Sequence, residues 1–262
     1  LIDLAFAEDA GTGDAATEAT VAPDLHGVAM VTAKSPAVFC GGPLFAAVMA
    51  RRDPTIVVEC LIAEGAPVVP GTVVLRISGP VAAILTAERP ALNFLGRLSG
   101  IATFTAQCVA AVQPHPTAIV DTRKTLPGFR ALDKYAVRMG GGRNHRTALD
   151  AGILVKENHI MAAGSVARAV ALARSGGSHL LKVELEVETL AQLDEAVAAG
   201  AEVVMLDNME LPTMAEAVRR HGDRVALEAS GNMTLERLAQ VAATGVHFIS
   251  LGALTHSVMC AD

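Results

Sequence analysis

The 262-residue chain contains no Trp, one Tyr and seven Phe. Proteins that hold single-stranded nucleic acid stack bases on aromatic rings, so this chain is a poor candidate for that role. Its core must be built from Ala, Val, Leu and Ile. A formal net charge of −6 also disfavours a polyanion-binding protein as a whole. Cys40, Cys60, Cys108 and Cys260 stand 20 or more residues apart and form no CxxC pair. That spacing suits neither a zinc site nor a disulfide framework, and the four are expected as reduced core thiols of a cytosolic protein. The longest stretch free of Lys, Arg, Asp and Glu, 98–120, holds Gly100, Gln107, Pro114, His115 and Pro116, so no membrane-spanning helix is expected. No basic region followed by an apolar core opens the chain, so no secretory signal is expected either.

What the chain does have is 52% hydrophobic residues against 18% charged, enough for a substantial core. Its second half repeats a pattern. Short apolar runs at 118–120, 152–155, 180–187, 202–206, 225–229 and 247–251 end at polar or small residues, and helix-like segments closed by Gly lie between. Lys156, Glu186, Asp207, Ser230 and Gly252 follow one another at intervals of 30, 21, 23 and 22 residues. A strand, a helix and two short loops fill such an interval. Thr189 with Gln192 predicts a capping box, Gly200 a helix stop, and Gly222 and Gly245 close the next two helices. Alternating strands and helices imply a parallel sheet, and this many units predict an α/β barrel with its polar residues at the C-terminal strand ends.

The first third reads differently, with strands over 28–33, 56–61 and 73–77 separated by Gly/Pro turns such as Pro70-Gly71. Residues 1–90 are expected to form a smaller α+β sandwich domain and 91–262 the barrel, with the C-terminal end returning to the first domain. Between them, 86–112 predicts a helical stretch interrupted at Pro90 and Gly100.

Seven cations (Arg123, Lys124, Arg130, Lys134, Arg138, Arg143 and Arg146) crowd into 121–146 against only Asp121 and Asp133. Charges this dense repel one another unless water or a bound anion compensates them. Pro127-Gly128 and Gly140-Gly141-Gly142 predict loops here rather than a helix with a charged outer side. No Gly-Lys-Ser/Thr follows the glycines, so the phosphate loop of nucleotide-binding proteins is absent, as is a dinucleotide fingerprint. A small polyanion remains. Arg grips a carboxylate or phosphate through two parallel bonds and Lys acts as a point charge, so Arg123, Lys124 and Arg146 together suit a ligand bearing both groups. Glu186 and Asp207, at successive strand ends, could hold Mg²⁺, bond sugar hydroxyls or stabilise positive charge at an anomeric carbon. Glu184 has the side-chain parity of Glu186 and could share its role. His145 and His159 are too far apart for a helical metal pair.

The runs Asp121-Thr-Arg-Lys-Thr-Leu-Pro-Gly-Phe-Arg130 and Lys134-Tyr-Ala-Val-Arg-Met-Gly-Gly-Gly-Arg-Asn-His-Arg146 resemble the quinolinate phosphoribosyltransferase family. The likeness continues through Ile153-Leu-Val-Lys-Glu-Asn-His159, Val183-Glu-Leu-Glu-Val-Glu188, Leu206-Asp-Asn208, Glu228-Ala-Ser-Gly231 and Gly252-Ala-Leu-Thr-His-Ser257, and covers essentially the whole chain. The resemblance implies an incomplete α/β barrel with an N-terminal sandwich domain. It also implies a reaction in which quinolinate and phosphoribosyl pyrophosphate give nicotinate mononucleotide, pyrophosphate and CO₂, with Mg²⁺, in NAD biosynthesis. By motif position, Arg123, His145, Arg146 and Lys156 would line the quinolinate pocket, with Lys124 and Lys156 also near phosphoribosyl pyrophosphate. Arg89 would reach the neighbouring subunit's site in a homodimer, with a dimer-based hexamer also open. Glu186 and Asp207 would serve the ribose and its metal, directly or through water, and Lys124, Glu186 and Asp207 would be the catalytic groups. Ser230, Gly231 and Gly252 would bind phosphate. Pro90 replaces a small residue at a helix start, and Asn232 stands where many relatives have a second Gly. Alternatives are a molybdenum-transport-associated relative, nicotinate phosphoribosyltransferase, or a non-catalytic metabolite sensor. Retention of both Glu186 and Asp207 argues against the sensor. A cytoplasmic location is expected, with no nucleic-acid or membrane partner.

Overall fold

A computed structural model describes residues 1–262. The chain forms two compact units: Leu1–Ala106 with Pro127–Gly141 and Ser257–Asp262, and Gln107–Leu126 with Gly142–His256.

The first unit contains α1 (Ile2–Asp9), α2 (Ala15–Thr20), β1 (His26–Thr32), β2 (Ala37–Val38), α3 (Gly42–Arg52), β3 (Val57–Cys60), β4 (Pro67–Val68) and β5 (Val73–Pro80). It also holds most of the long α4 (Val81–Ala111) and all of α5 (Arg130–Met139). Strands β1, β5 and β3 make an antiparallel sheet in that order, with Ala29 and Val58 both opposite Ile77, and β2 pairs with β4. Apolar residues on one face of the sheet join Phe45, Val48 and Met49 of α3 and Ala87, Ala91 and Phe94 of α4 in one core.

Three expectations change here. Helix α4 is continuous through Pro90 and Gly100, and Pro90 is interior to it rather than at its start. Gly100 serves close packing: a Cβ there would collide with the Met259 carbonyl, and the Ala261 N–H donates to the Gly96 carbonyl at 2.9 Å. These glycines form a shallow bed for the C-terminal tail, which returns to this unit. Because α4 is one helix, the first unit extends past residue 90 to Ala106. Second, 130–139 is helical. Pro127-Gly128 precedes α5 and Gly140 caps it, so these residues end the helix rather than replace it. Third, only Cys40 and Cys108 are buried, while Cys60 and Cys260 lie at the surface; all four are free. Burial pushes the Cys108 thiol up to about 12, which keeps it protonated and inert.

The second unit is built on six strands: β6 (Ala118–Val120), β7 (Ile153–Val155), β8 (Val183–Val187), β9 (Val203–Asp207), β10 (Ala226–Ser230) and β11 (Phe248–Ser250). Helices α6 (Glu157–Ala163), α7 (Val166–Gly176), α8 (Leu190–Ala198), α9 (Leu211–His221), α10 (Leu235–Ala243) and α11 (Ala253–His256) follow them. All strand pairs are parallel, in the order β6-β11-β10-β9-β8-β7. That is a barrel's circular order opened at one seam, because the end strands β6 and β7 do not pair with each other. The incomplete α/β barrel expected from the sequence is therefore present. The Thr189 hydroxyl accepts from the Gln192 N–H while the Gln192 side chain reaches back to the Thr189 N–H, so the capping box is formed. No helix is long and apolar enough to cross a membrane.

Candidate active site

Strand side chains alternate between faces, so residues paired across neighbouring strands share a face. Glu186 of β8 lies opposite Met205 of β9, which lies opposite Glu228 of β10, and Asp207 lies opposite Ser230. Glu184, Glu186, Asp207, Glu228 and Ser230 thus project from one face of the sheet. On the other, Leu185, Leu206 and Leu227 are fully buried. A strand that is apolar on one side and acidic on the other buries carboxylates at a desolvation cost, and here that cost falls on Glu184 and Glu228 inside their strands, while Glu186, Asp207 and Ser230 toward the C-terminal ends stay partly exposed.

The chain linking the seam strands β6 and β7 contributes the cations. Arg123 is half-buried and Lys124 exposed, with the Lys124 carbonyl held by the Thr255 hydroxyl at 2.9 Å. Asp121 is fully buried and accepts the Asn144 amide at 2.6 Å and the His145 N–H at 2.8 Å. Those two bonds pin 144–145 to the end of β6. Arg146 follows directly. Its Nη1 donates to the Gly152 carbonyl at 3.2 Å, and burial pulls its guanidinium below the ordinary value, with Arg123 adding to the effect and Glu184 opposing it. A cation depressed by burial and by a second cation is one that an incoming anion stabilises.

Lys156, exposed at the start of α6, makes a close ion pair with Glu186 through Nζ and Oε2. His159 accepts the Lys156 N–H at 3.0 Å and so caps α6 rather than facing a ligand. Asp207 accepts the Asn208 amide at 2.8 Å, and Asn208 and Asn232 are joined at 3.0 Å. Both Asn residues have positive φ, 52° and 48°, which Asn tolerates better than other non-glycine residues. Asn232 therefore fits where a glycine would also serve. Gly231, at φ 88°, is required on a second ground, since a Cβ there would collide with the Asn208 side chain. A Cβ at Gly252 would crowd Lys124 and His256 at 2.9 Å.

Behind the cationic loop lies a group that the sequence reading left incomplete. His145 Nε2 is 2.9 Å from Glu184 Oε2 and 3.8 Å from Glu228 Oε2. Burial, then the Glu184 charge, raise the Glu228 carboxyl to about 7, against the opposing influence of His145. Glu228 had no role assigned from sequence. The available signal was an acid in an otherwise apolar strand, two residues before Ser230 and hence on its face.

All ten residues Arg123, Lys124, His145, Arg146, Lys156, Glu186, Asp207, Ser230, Gly231 and Gly252 lie on second-unit loops and strand ends, where Lys156 meets Glu186, Gly252 lies beside Lys124 and Asp207 is opposite Ser230. Arg89 lies instead on α4 of the first unit, exposed at the edge of a cavity of about 840 Å³ lined mostly by apolar residues such as Phe39, Phe45 and Ile77.

Nearly the whole chain matches one family. Residues 14–99 match the N-terminal domain of quinolinate phosphoribosyl transferase and residues 101–262 its C-terminal domain. The chain is 45% identical over 251 residues to a probable nicotinate-nucleotide pyrophosphorylase (carboxylating) of Synechocystis, covering 95% of this chain and 85% of that one. It is 42% identical over 262 residues to the Bacillus subtilis protein of the same description, covering 100% and 90%. The crystal structure of NadC from Streptococcus pyogenes superposes with a TM-score of 0.96 at 38% identity, covering 100% of this chain and 92% of that one.

Proposed function

The chain belongs to the quinolinate phosphoribosyltransferase family, and we propose that it transfers phosphoribosyl from phosphoribosyl pyrophosphate to quinolinate with loss of CO₂. The products are nicotinate mononucleotide and pyrophosphate, in de novo NAD biosynthesis. The observation that carries the division of labour is the shared face of the sheet: Glu186 near the end of β8 pairs with Lys156, and Glu184 on the same face meets His145 of the β6–β7 connection.

Arg123, Arg146 and Lys156 receive the two carboxylates of quinolinate, and His145 lines the pocket beside them. A dicarboxylate taken out of water must be compensated by several hydrogen-bonded cations, and the lowered Arg146 guanidinium marks a position where that compensation is favourable. Lys156 pairs with Glu186 and so links the quinolinate-facing cations to the ribose-facing acids. Lys124 sits between the two substrates. Ser230, Gly231 and Gly252 offer backbone N–H groups to the 5′-phosphate at loops that lead into helices.

As the C1′–O bond to pyrophosphate breaks, positive charge develops on the ribose and the pyridine nitrogen forms its bond to C1′. Glu186 and Asp207 stabilise that charge more in the transition state than in the ground state. The 2-carboxylate leaves as CO₂, and its electron pair remains on the carbon beside the cationic ring nitrogen, which then takes a proton. Glu186 and Asp207 are also hard oxygen donors of the kind Mg²⁺ takes alongside water and phosphate oxygens, so the donor set fits that ion. Bound there, Mg²⁺ would neutralise pyrophosphate charge. We extend the reading to a cytoplasmic homodimer in which Arg89 completes the neighbouring subunit's quinolinate pocket.

The test is product formation from quinolinate or nicotinate, each with phosphoribosyl pyrophosphate and Mg²⁺, while CO₂ is followed. Nucleotide and CO₂ from quinolinate, with no nucleotide from nicotinate, is the expected result. Turnover of nicotinate, or of neither acid, would overturn the assignment.

A further inference from the structure

Glu184 lies on β8 among Val183, Leu185 and Val187, and only 8% of it is exposed. Its Oε2 is 2.9 Å from His145 Nε2, while its Oε1 is buried with no hydrogen-bond partner. His145 Nδ1 accepts the Arg146 N–H at 2.7 Å, so the ring's proton is on Nε2 and points at Glu184. On the ring's acidic side Glu228 stands second, its Oε2 at 3.8 Å. His145 Nε2 and the two carboxylates fall within 4.8 Å of one another, as metal ligands would. The 2.9 Å separation is that of a hydrogen bond, however, and the ring proton occupies the space an ion would need. Glu184 is also the negative group that acts on the Arg146 guanidinium.

We propose that Glu184 is a positioning residue for the pyridine dicarboxylate: by accepting the His145 Nε2 proton, one buried carboxylate fixes the ring on which the Arg146 backbone is held, and so sets Arg146 toward the substrate. This rests on the function proposed above. An apolar residue at this strand position would avoid the desolvation penalty of a buried acid with an unpartnered oxygen, so stability alone gives no reason for Glu here. The consecutive placement of His145 and Arg146 makes a single anchor sufficient. The His145 ring is tied to Glu184, and the Arg146 backbone is tied to that ring.

Steady-state kinetics on Glu184→Gln and Glu184→Ala, varying each substrate in turn, test the proposal. Gln keeps an acceptor but not the charge, and should raise KM for quinolinate about 10-fold; Ala removes both and should raise it about 100-fold. KM for phosphoribosyl pyrophosphate should move less than about 2-fold in either case, and Glu184→Asp should recover part of the loss. A second readout is independent of turnover. The imidazole Nε2–H resonance, assigned by its loss in His145→Gln, should be observable in the wild type and absent in Glu184→Ala. An unchanged KM for quinolinate in cooperatively melting variants would overturn the proposal, as would an equal rise in both KM values or an unaltered imidazole resonance. If the Ala variant does not fold, the Gln and Asp variants decide the outcome. Failure of the wild type to convert quinolinate would instead overturn the functional reading, and the resonance would still decide the His145–Glu184 contact.

Discussion

Each unit buries charge, and the Asp133 site of the first and the Glu184–Glu228 site of the second do so in opposite ways. In the first unit Arg97 grips Asp133 with two bonds, Nε to Oδ1 at 3.0 Å and Nη2 to Oδ2 at 2.8 Å, over the face of Phe129 at 5.6 Å. Asp133 is fully buried and both its oxygens are satisfied. In the second unit Glu184 and Glu228 each bury an oxygen with no partner, and Glu228 is pushed toward its neutral form. The bidentate pair fixes α5 to α4 and has no capacity left for a ligand. The acid pair leaves bonding capacity unused, beside cations that are themselves under strain. Satisfied buried charge builds the scaffold; the unsatisfied kind marks the place where chemistry is done.

Four measurements would break or sharpen that contrast. Asp133→Ala strands the Arg97 guanidinium, and should cost about 3–5 kcal/mol of folding stability in a denaturant titration, with activity falling only as folded protein is lost. Arg146→Ala should do the reverse. Quinolinate binding should weaken by about 2–5 kcal/mol while the far-ultraviolet dichroism and the melt are unaltered. An active variant with unchanged affinity would remove Arg146 from the pocket.

Glu228→Gln should change the pH dependence of stability. The folded-state carboxyl titrates at about 7 against 4.5 for its ordinary value. The native protein therefore holds that proton more tightly than the unfolded chain does. The stabilisation it brings is complete below about 4.5 and is lost as pH rises through about 7. Glu184 and Asp121 raise the carboxyl in the same sense and His145 opposes them. Relative to the wild type, the Gln variant should gain on the order of 3 kcal/mol between pH 5 and pH 8. Parallel melting curves across that range would show that Glu228 is not held near neutrality. The smallest effect belongs to Glu216→Ala. Arg219 and Arg220 hold this carboxyl down at about 2, but the cluster is exposed and salt screens it. Its melting temperature should stay close to the wild type's, and the difference should vanish in high salt.

The strand ends of the second unit were legible because spacing and side-chain parity are local properties. Lys156, Glu186, Asp207, Ser230 and Gly252 all fall at or just beyond the C-terminal ends of strands, where the repeat predicts them. The continuity of α4 was not legible, because the purpose of Gly100 depends on Met259, a residue far along the chain that packs against it. Helix α5 is hidden because Pro127-Gly128 and Gly140 read as breaks through the segment when they bound a helix, and because the burial of Asp133 and Lys134 depends on the rest of the first unit. The same run was read as one anion site, yet Arg130, Lys134 and Arg138 belong to the first unit and Arg123, Lys124, Arg143 and Arg146 to the second. Glu228 was readable in principle. What hid it was its partnership with His145, which lies far away in the chain, in the β6–β7 connection.

The central claim is that the second unit's cations read a dicarboxylate, and calorimetric titration of the wild-type protein with quinolinate and with nicotinate tests it most directly. Quinolinate should bind at least about 10-fold more tightly, because nicotinate leaves part of the cationic group uncompensated. Equal affinity for the two acids would contradict the account.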